Sequence, residues 1–267
     1  MMKLMLVTAD LEFTREAQKA GIDRIFLDLE YINKAERQRG RNTLISNNSI
    51  TDVRKLRSVI DKSEFLVRVN PIHPNSQYEI DKVVEGGADI IMLPMVTDDE
   101  DAYTFVSMVN GRTKTCLLLE TAQSLVRLDD ILNVKGVDEI YIGLNDLHIS
   151  MNLKFMFELL AGGIVDYMAD KINAKGLPFG FGGMAKIGEG ILPAENILGE
   201  HYRLGSSSVI LSRTFRNEVG NVGEKVDFKV EVDKIRSMEK EISLWKEQQF
   251  NDNRLFVKEC VNKIIKR

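Results

Sequence analysis

The chain has 267 residues, of which 44% are hydrophobic and 28% charged, and its formal net charge is −4. These values are typical of a globular protein large enough for one α/β barrel or two small domains. The slightly acidic charge gives no electrostatic basis for binding nucleic acid or an anionic membrane. No apolar run approaches the roughly 20 residues that cross a bilayer, and the N-terminus lacks a signal-peptide pattern. We therefore expect a cytoplasmic protein that binds neither nucleic acid nor membrane.

Strand-like and helix-like segments alternate from residue 4 to residue 211. The apolar runs predict strands over residues 4–7, 24–29, 64–69, 89–93, 115–119, 139–142, 178–181 and 207–211. The segments between them predict helices over residues 11–20, 51–60, 78–85, 98–109, 124–132, 151–174 (broken at Gly162 and Gly163) and 193–204. Eight strands that alternate with helices predict a (β/α)₈ TIM barrel, with a doubly wound open sheet as the alternative.

The remaining segments divide the chain into a barrel domain, residues 1–215, and a C-terminal helical extension, residues 216–267. Residues 32–48, rich in Arg and Asn, predict a long loop after strand two at the catalytic end of the barrel. In the extension, residues 234–245 and 254–265 have apolar side chains at helical spacing, with a polar segment 248–253 between them and one strand-like run at 228–232. The extension either packs on its own barrel or is exchanged with a neighbouring subunit.

Two carboxylates follow neighbouring predicted strands. Glu120 comes directly after the apolar run 116–119, and Asp146 comes one strand–helix–strand repeat later. Parallel neighbouring strands in a barrel place such residues at the same end. Two hard oxygen ligands with room for water and substrate suit Mg²⁺ or Mn²⁺. We therefore predict that Glu120 and Asp146 bind a divalent metal.

Charged residues also end predicted strands two and three. Arg68 alternates with two valines, so its side chain faces the barrel interior or its mouth, where it could bind a carboxylate or an enolate oxygen. A structural ion pair in the barrel floor is the alternative. Asp28 and Glu30 share one strand face and are expected to pair with Arg68 or to bind metal-bound water, or else to face solvent. We assign catalytic roles to Arg68 and Glu30.

The turn after strand six and two glycine-rich segments give weaker signals. Gly143, Leu144 and Asn145 form a turn whose backbone N–H groups can point at a carboxylate, and we predict that they bind substrate. The segments 180–183 and 204–208 occupy the phosphate-binding region of many barrels, but their spacing fits close backbone approach equally well.

The positions of the histidines and lysines indicate which catalytic mechanisms the chain could support. His73 and His148 follow catalytic-face strands and could transfer protons, or could simply lie at the surface. His201 falls in an outer helix and is predicted to be structural. No Lys ends an inner strand, as a Schiff-base aldolase requires, so metal-assisted enolate chemistry is favoured.

Several stretches together resemble the HpcH/HpaI aldolase and citrate lyase β-subunit family. They are FLDLE (26–30), VRVNP (67–71), GGADIIMLPMV (86–96), LLETAQSLVRLDDIL (118–132) and IGLNDL (142–147), with looser similarity in FGGM (181–184) and LGSSSVILSR (204–213). The resemblance implies that Glu120 and Asp146 bind the metal, which a 2-oxo acid such as pyruvate or oxaloacetate chelates. It implies that Arg68 stabilises the enolate oxygen and that N–H groups around residues 144–146 hold the substrate carboxylate. It also implies a homo-oligomer, often a hexamer with exchanged C-terminal helices.

The chain departs from the family pattern at three positions. Tyr31 stands where aldolases commonly have a catalytic His and citrate-lyase-like members an Asp. Leu118 replaces a Gln that is frequent in the aldolases, and Leu144 replaces a Pro. The metal-binding and enolate-stabilising residues are therefore present, whereas the residue that transfers the proton is not identified.

The leading prediction is a class II, metal-dependent carbon–carbon lyase or aldolase. It would form the enolate of a 2-oxo acid and cleave or condense a 4-hydroxy-2-oxo acid or related substrate. The alternatives are a citrate-lyase-like lyase that acts on a CoA or carrier-protein thioester, a biosynthetic condensing enzyme, and a non-catalytic oxo-acid-binding barrel.

Overall fold

The computed structural model describes residues 1–32, 48–215 and 227–266. The predicted loop over residues 32–48 lies almost wholly outside these ranges, as does the beginning of the C-terminal extension. Eight parallel strands close into a barrel in sequence order, because β8 pairs with β1 as well as with β7. The predicted (β/α)₈ barrel is confirmed.

The elements follow the chain in regular alternation. The strands are β1 Lys3–Val7, β2 Arg24–Asp28, β3 Glu64–Arg68, β4 Ile90–Leu93, β5 Lys114–Leu119, β6 Glu139–Ile142, β7 Phe179–Met184 and β8 Ser208–Leu211. The helices are α1 Leu11–Ala20, α2 Ile50–Arg57, α3 Ser76–Glu85, α4 Asp99–Val109, α5 Ala122–Val126, α6 Leu128–Leu132, α7 Leu144–Ser150, α8 Glu158–Ala161, α9 Ile164–Ala174, α10 Ala194–Leu204, α11 Phe228–Ile242 and α12 Glu247–Ile265.

The barrel interior is filled in its middle and closed at its floor. Its central layer consists of apolar side chains from six strands, namely Met5, Phe26, Leu66, Ile90, Met92, Cys116, Leu118 and Tyr141. Below them, Arg24 at the start of β2 is 1% exposed and bonds to Glu139 at 2.7 Å and Glu64 at 2.8 Å. The structural ion pair of the barrel floor is therefore made by Arg24, and Arg68 remains at the opposite end.

The structure corrects the prediction around α7. The helix predicted from residue 151 begins at Leu144, breaks into turns over residues 151–157, and resumes as α8 and α9. Leu144 and Leu147 are buried one turn apart, and Asp146 lies in the first turn, where the positive end of the helix dipole favours a carboxylate. The residues read as a turn after β6 are therefore the start of a short helix.

The predicted strand over residues 228–232 is wrong. Phe228, Val232 and Ile235 are all buried, and their spacing follows the helical repeat of α11. The Asp227 side chain caps this helix by accepting a hydrogen bond from Lys229 N at 3.0 Å. The polar segment 248–253, expected to separate two helices, lies inside α12.

The C-terminal helices pack on the barrel of the same chain. Helix α11 lies against α1, where Arg236 forms an ion pair with Asp23 at 2.6 Å. Helix α12 lies against α10 and α8, and its buried Asn253 donates to Glu200 at 2.9 Å. Exchange of these helices between subunits stays a prediction. Within the described ranges, no helix combines the length and apolar character that crossing a membrane requires.

Candidate active site

A cavity of about 370 Å³ opens at the carboxyl ends of the strands. Its polar lining comes from the ends of β2 and β3, the residue after β5, strand β6, the first turn of α7 and the segment after β8. It comprises Asp28, Arg68, Glu120, Tyr141, Asn145, Asp146, Ser212 and Arg213. Of the predicted site residues, Arg68, Glu120, Gly143, Leu144, Asn145 and Asp146 all line this cavity. The fold thus brings together residues that are almost 80 positions apart in the chain.

Glu120 is buried beside the carboxylate of Asp146. Glu120 follows β5 directly and is 3% exposed, and its Oε1 accepts a hydrogen bond from the Met95 backbone N–H at 3.1 Å. Met95 holds a left-handed backbone conformation, with φ of 56°, that aims this N–H at the carboxylate. Burial, and then the neighbouring Asp146 charge, raise the pKa of Glu120 to about 8.

This carboxylate pair fits a divalent cation. Within the described residues, no Lys or Arg forms an ion pair with Glu120 or Asp146. A buried carboxylate beside a second, half-buried one is costly unless positive charge compensates it, and Arg68 does so only through space. Hard oxygen ligands suit Mg²⁺ or Mn²⁺. No group of three His, Cys, Asp or Glu ligands occurs in the described ranges. A metal held here would therefore keep most coordination positions for water and substrate.

Gly143 makes room for the buried Glu120 side chain. A Cβ at residue 143 would lie 2.7 Å from both Cβ and Oε2 of Glu120. Such distances are far inside van der Waals contact, so only glycine permits this close approach of the two strand ends. The sequence showed Gly143 only as a turn former, and the structure gives it a second role in positioning Glu120.

Arg68 is anchored by two acidic residues at the end of β2. Its Nε and Nη2 donate to the two carboxylate oxygens of Asp28, each at 2.9 Å, and Nη2 lies 3.3 Å from Glu30. Burial opposes its charge, yet Asp28 and Glu30 hold the pKa of Arg68 above its usual range. Within the described part of the chain, Nη1 makes no hydrogen bond, which leaves one edge of the guanidinium for a ligand.

Glu30 lies beside Arg68 and outside the lining of the cavity. It is 1% exposed, and its backbone N–H donates to Asp28 at 3.1 Å. Asn70, from the VRVNP stretch, accepts hydrogen bonds from the backbone N–H groups of Tyr31 at 2.9 Å and Ile32 at 3.0 Å. The two loops after β2 and β3 are thus tied together. This geometry gives Glu30 a positioning role toward Arg68.

Tyr31 occupies the position of the missing family histidine, but its side chain is not part of the cavity lining. It is 61% exposed and does not line the site. Its backbone is held by Asn70, whose side chain in turn donates to Glu79 at 2.8 Å. Burial raises the pKa of Glu79 above its usual value. The residue at the position of the histidine is therefore an exposed tyrosine that contributes no side chain to the lining.

The three histidines lie outside the cavity lining. His73 lies in the loop after β3, where its Nδ1 forms a hydrogen bond with the Ser76 hydroxyl. His148 lies inside α7, and its Nδ1 is close to the Leu144 carbonyl. His201 is fully buried and stacks on Phe181 with ring centroids 3.7 Å apart, as a structural residue would. Proton transfer by a histidine finds no support in this arrangement.

Several cavity residues were missed by the sequence analysis. Tyr141, in the middle of β6, points inward, and its hydroxyl donates to the Gly182 carbonyl at 2.7 Å and accepts from Ile210 N at 2.9 Å. Strand alternation in residues 139–142 could have revealed this inward orientation. Met156 and Arg213 also line the cavity, but they follow irregular segments and carry no such signal.

Known proteins share both the sequence pattern and the fold. The model of the HpcH/HpaI aldolase/citrate lyase family matches residues 3–158, which is more than half of the chain. No curated protein sequence matches the chain.

Three solved structures have similar barrels. An HpcH/HpaI aldolase from Desulfitobacterium hafniense DCB-2 superposes with a TM-score of 0.62 at 15% identity, covering 79% of this chain and 86% of that chain. An HpcH/HpaI aldolase/citrate lyase family protein from Burkholderia cenocepacia J2315 gives 0.63 at 15% identity, with coverage of 91% and 95%. The citrate synthase SbnG gives 0.61 at 17% identity, with coverage of 94% and 95%. These likenesses support the fold.

Proposed function

The chain belongs to the HpcH/HpaI aldolase/citrate lyase family, whose members support a function of the aldolase or lyase type. From that premise we propose a metal-dependent carbon–carbon lyase that forms the enolate of a 2-oxo acid and cleaves or condenses a 4-hydroxy-2-oxo acid. The observation that carries this proposal is the meeting of Glu120, Asp146 and Arg68 in one cavity.

The two carboxylates provide the metal site. Glu120 is held by Met95 N at one oxygen, and Asp146 is supplied by the first turn of α7. A divalent ion bound there would polarise the oxo group of the substrate and stabilise the negative charge that develops on it. The raised pKa of Glu120 means that metal and proton compete for this carboxylate.

Arg68 provides a second, fixed positive charge. Its two bonds to Asp28 hold the guanidinium plane, and Nη1 makes no hydrogen bond within the described residues. A preorganised cation placed where negative charge develops stabilises the transition state more than a mobile one. The backbone N–H groups of Leu144, Asn145 and Asp146, which open α7, lack intrahelical partners and would bind the substrate carboxylate.

Proton transfer requires a residue other than the missing histidine. Of the carboxylates that line the cavity, Asp28 is the one outside the metal site. It lies against Arg68, beside the position proposed for the substrate. Both oxygens of Asp28 already accept hydrogen bonds from Arg68, which weakens this carboxylate as a base, so we assign positioning roles toward Arg68 to Asp28 and Glu30 and leave the proton acceptor unassigned.

The test is exchange of the pyruvate methyl protons in D₂O, followed by NMR with and without Mn²⁺. We expect exchange that depends on Mn²⁺, and we expect Glu120→Gln to abolish that dependence. Arg68→Lys cannot reproduce the two-point contact with Asp28 and should lower the exchange rate by about 10²-fold. Arg54→Lys, a matched change at an exposed residue with a 3.8 Å surface ion pair, should leave the rate unchanged.

The alternative outcomes discriminate between functions. Binding of Mn²⁺ and pyruvate without exchange would overturn the enolisation step and favour an oxo-acid-binding barrel. Equal loss of exchange in Arg68→Lys and Arg54→Lys would contradict a specific role for Arg68.

A further inference from the structure

The cavity has two chemically different halves. All the charged residues of the proposed mechanism come from β2, β3, β5 and the turn after β6. Strands β7, β8 and β1, which are consecutive in the ring, contribute only glycines and apolar side chains to the cavity, namely Leu6, Val7, Gly182, Gly183, Ile210 and Leu211, and Ser212 and Arg213 follow the end of β8. Met156, from the segment between α7 and α8, also lines the cavity. The opposite side of the cavity combines its charged residues with apolar Phe26, Met92 and Leu118, so only the side formed by β7, β8 and β1 has strand residues that are all apolar or glycine, and we call this side the apolar half.

The apolar half is open to a ligand. Val7 and Ile210 lie on the interior face of the barrel, and both are only partly buried although neighbouring strand residues are fully covered. A Cβ added at Gly183 would meet nothing closer than the Ile210 carbonyl oxygen at 3.7 Å. Unfilled space bordered by partly exposed apolar side chains gains free energy when an apolar group covers it.

We propose that this apolar half, formed by Val7, Ile210 and Met156 around Gly183, binds an uncharged aliphatic chain that extends from the third carbon of the 2-oxo acid. The inference rests on the proposed function, because it takes the oxo-acid end to lie at Glu120, Asp146 and Arg68. It assigns the preferred substrates to aliphatic oxo acids, in place of dicarboxylates or sugar-like chains.

Among the described residues that line the cavity, Arg213 is the cation that could oppose this assignment. Arg213 lies two residues beyond the end of β8, in a short 3₁₀ helix, and it lines the outer part of the cavity. A chain that ended in a carboxylate could reach Arg213, whereas an aliphatic chain would stop on Val7 and Ile210. Ligands of equal length that end in a carboxylate or in a methyl group therefore distinguish a chain bound at Arg213 from one bound at Val7 and Ile210.

The experiment is calorimetric titration of the full chain, in excess Mn²⁺, with stable 2-oxo acids. Pyruvate, 2-oxobutanoate, 2-oxopentanoate and 2-oxohexanoate lack the 4-hydroxyl group that cleavage requires, so the readout is binding alone. We expect Kd to fall about fourfold for each methylene that enters the apolar half. 2-Oxoadipate matches 2-oxohexanoate in length but ends in a carboxylate, and we expect it to bind more weakly.

Two variants place the effect on the named residues. Gly183→Val fills the open space and should abolish the gain from chain length. Val7→Thr keeps the size of the side chain but adds a hydroxyl, so it should reduce the gain even if Gly183→Val fails to fold. Val126→Ala changes an apolar residue that is 85% exposed, and its Kd should fall with chain length as in the wild type.

The outcomes separate this inference from the proposed function. Affinity that does not change with chain length, or 2-oxoadipate binding more tightly than 2-oxohexanoate, overturns the inference while oxo-acid binding stands. If none of the ligands binds in the presence of Mn²⁺, the proposed function fails and the inference fails with it.

Discussion

The ionised form of Glu120 lowers the stability of the fold, yet the proposed activity requires this form to bind the metal. It is buried beside Asp146, and its carboxylate has one hydrogen bond from Met95. Because burial raises its pKa to about 8, the folded protein keeps a proton that the unfolded chain releases near its ordinary value of 4.5. The folded state therefore loses stability as pH rises from about 4.5 to about 8, and a bound cation would restore it.

Glu120→Gln should stabilise the metal-free protein at high pH. Glutamine keeps the acceptor for Met95 N but cannot ionise, so the penalty above pH 8 disappears. We expect thermal unfolding at pH 9 to occur on the order of 5 °C higher than in the wild type, with little difference at pH 5. The variant should also lose the rise in Tm on addition of Mn²⁺. Glu100→Gln, at an exposed position, should behave as the wild type does, and a lower Tm for Glu120→Gln at pH 9 would refute the argument.

At the scale of elements, the ends of strands and the first turns of helices position the site. The end of β5 carries Glu120, the end of β6 carries Gly143, and α7 begins at once so that Asp146 faces the same cavity. Because a Cβ at residue 143 would lie 2.7 Å from Glu120, the two strand ends approach as closely as backbone contact allows.

Gly143→Ala should disable metal binding without unfolding the barrel. The added methyl displaces the Glu120 carboxylate, and we expect the affinity for Mn²⁺, measured by calorimetry, to fall about 10-fold or more. Gly183→Ala is the matched control, since its methyl would lie 3.7 Å from the nearest atom, and it should bind Mn²⁺ as the wild type does. Equal affinity in both variants would show that Gly143 does not position the carboxylate.

Helix α10 carries an acid-sensitive residue against β7. His201 is buried on Phe181, its Nδ1 pairs with Ser206 at 2.8 Å, and its Nε2 has no partner in the described residues. Burial lowers the pKa of His201 to about 3. Between pH 6.5 and 3 the unfolded chain therefore binds a proton that the folded chain refuses, and stability falls as pH falls.

His201→Phe should flatten the acid side of the stability profile. Phenylalanine keeps a ring to stack on Phe181 and does not titrate. Between about pH 6 and 4 the wild type should lose up to about 1.4 kcal/mol per pH unit through this group, and the variant should not. Urea unfolding at several pH values measures the difference. His73→Phe, in a partly exposed loop, should retain the wild-type slope, and an unchanged slope in His201→Phe would contradict this assignment.

At the scale of the whole molecule, the C-terminal extension completes the barrel instead of standing apart from it. Glu239 in α11 is 3% exposed and accepts hydrogen bonds from Met2 N at 2.5 Å, Tyr202 at 3.0 Å and Arg236 at 2.6 Å. One carboxylate thus joins the residue before β1, helix α10 and the extension. The two ends of the chain are therefore held together through a buried ionic group.

Glu239→Ala should destabilise the entire fold. Removal of one partner leaves Arg236 and two further donors without their acceptor in a buried place, at a cost of about 3 kcal/mol. Denaturation by urea should show a lower midpoint in a single transition if the extension and barrel unfold together. Glu241→Ala changes an exposed residue on the same helix and should have little effect. Two separate transitions in the wild type would argue that the extension is an independent unit.

The sequence by itself determined the fold class, the positions at which strands end, and which charged residues lie at those ends. Strand periodicity and the order of strands and helices depend on local apolar patterning, which a single chain displays directly. Arg68 ends one such apolar run, and Glu120 and Asp146 follow two others, so the pattern alone places all three at the carboxyl end of a parallel barrel.

The tertiary structure alone decided which side chains face the cavity and which support it. Glu30 pairs with Arg68, and the side chain of Tyr31 is exposed to solvent. The cavity is also lined by Tyr141, Met156 and Arg213. Residues 228–232 are helical, and as part of that helix Phe228 and Val232 are buried where it packs against α1. Because α1 is more than 200 residues away in the chain, the local apolar pattern could not reveal this contact. Contacts between distant residues depend on how strands close and where loops lead, and no local pattern encodes those distances.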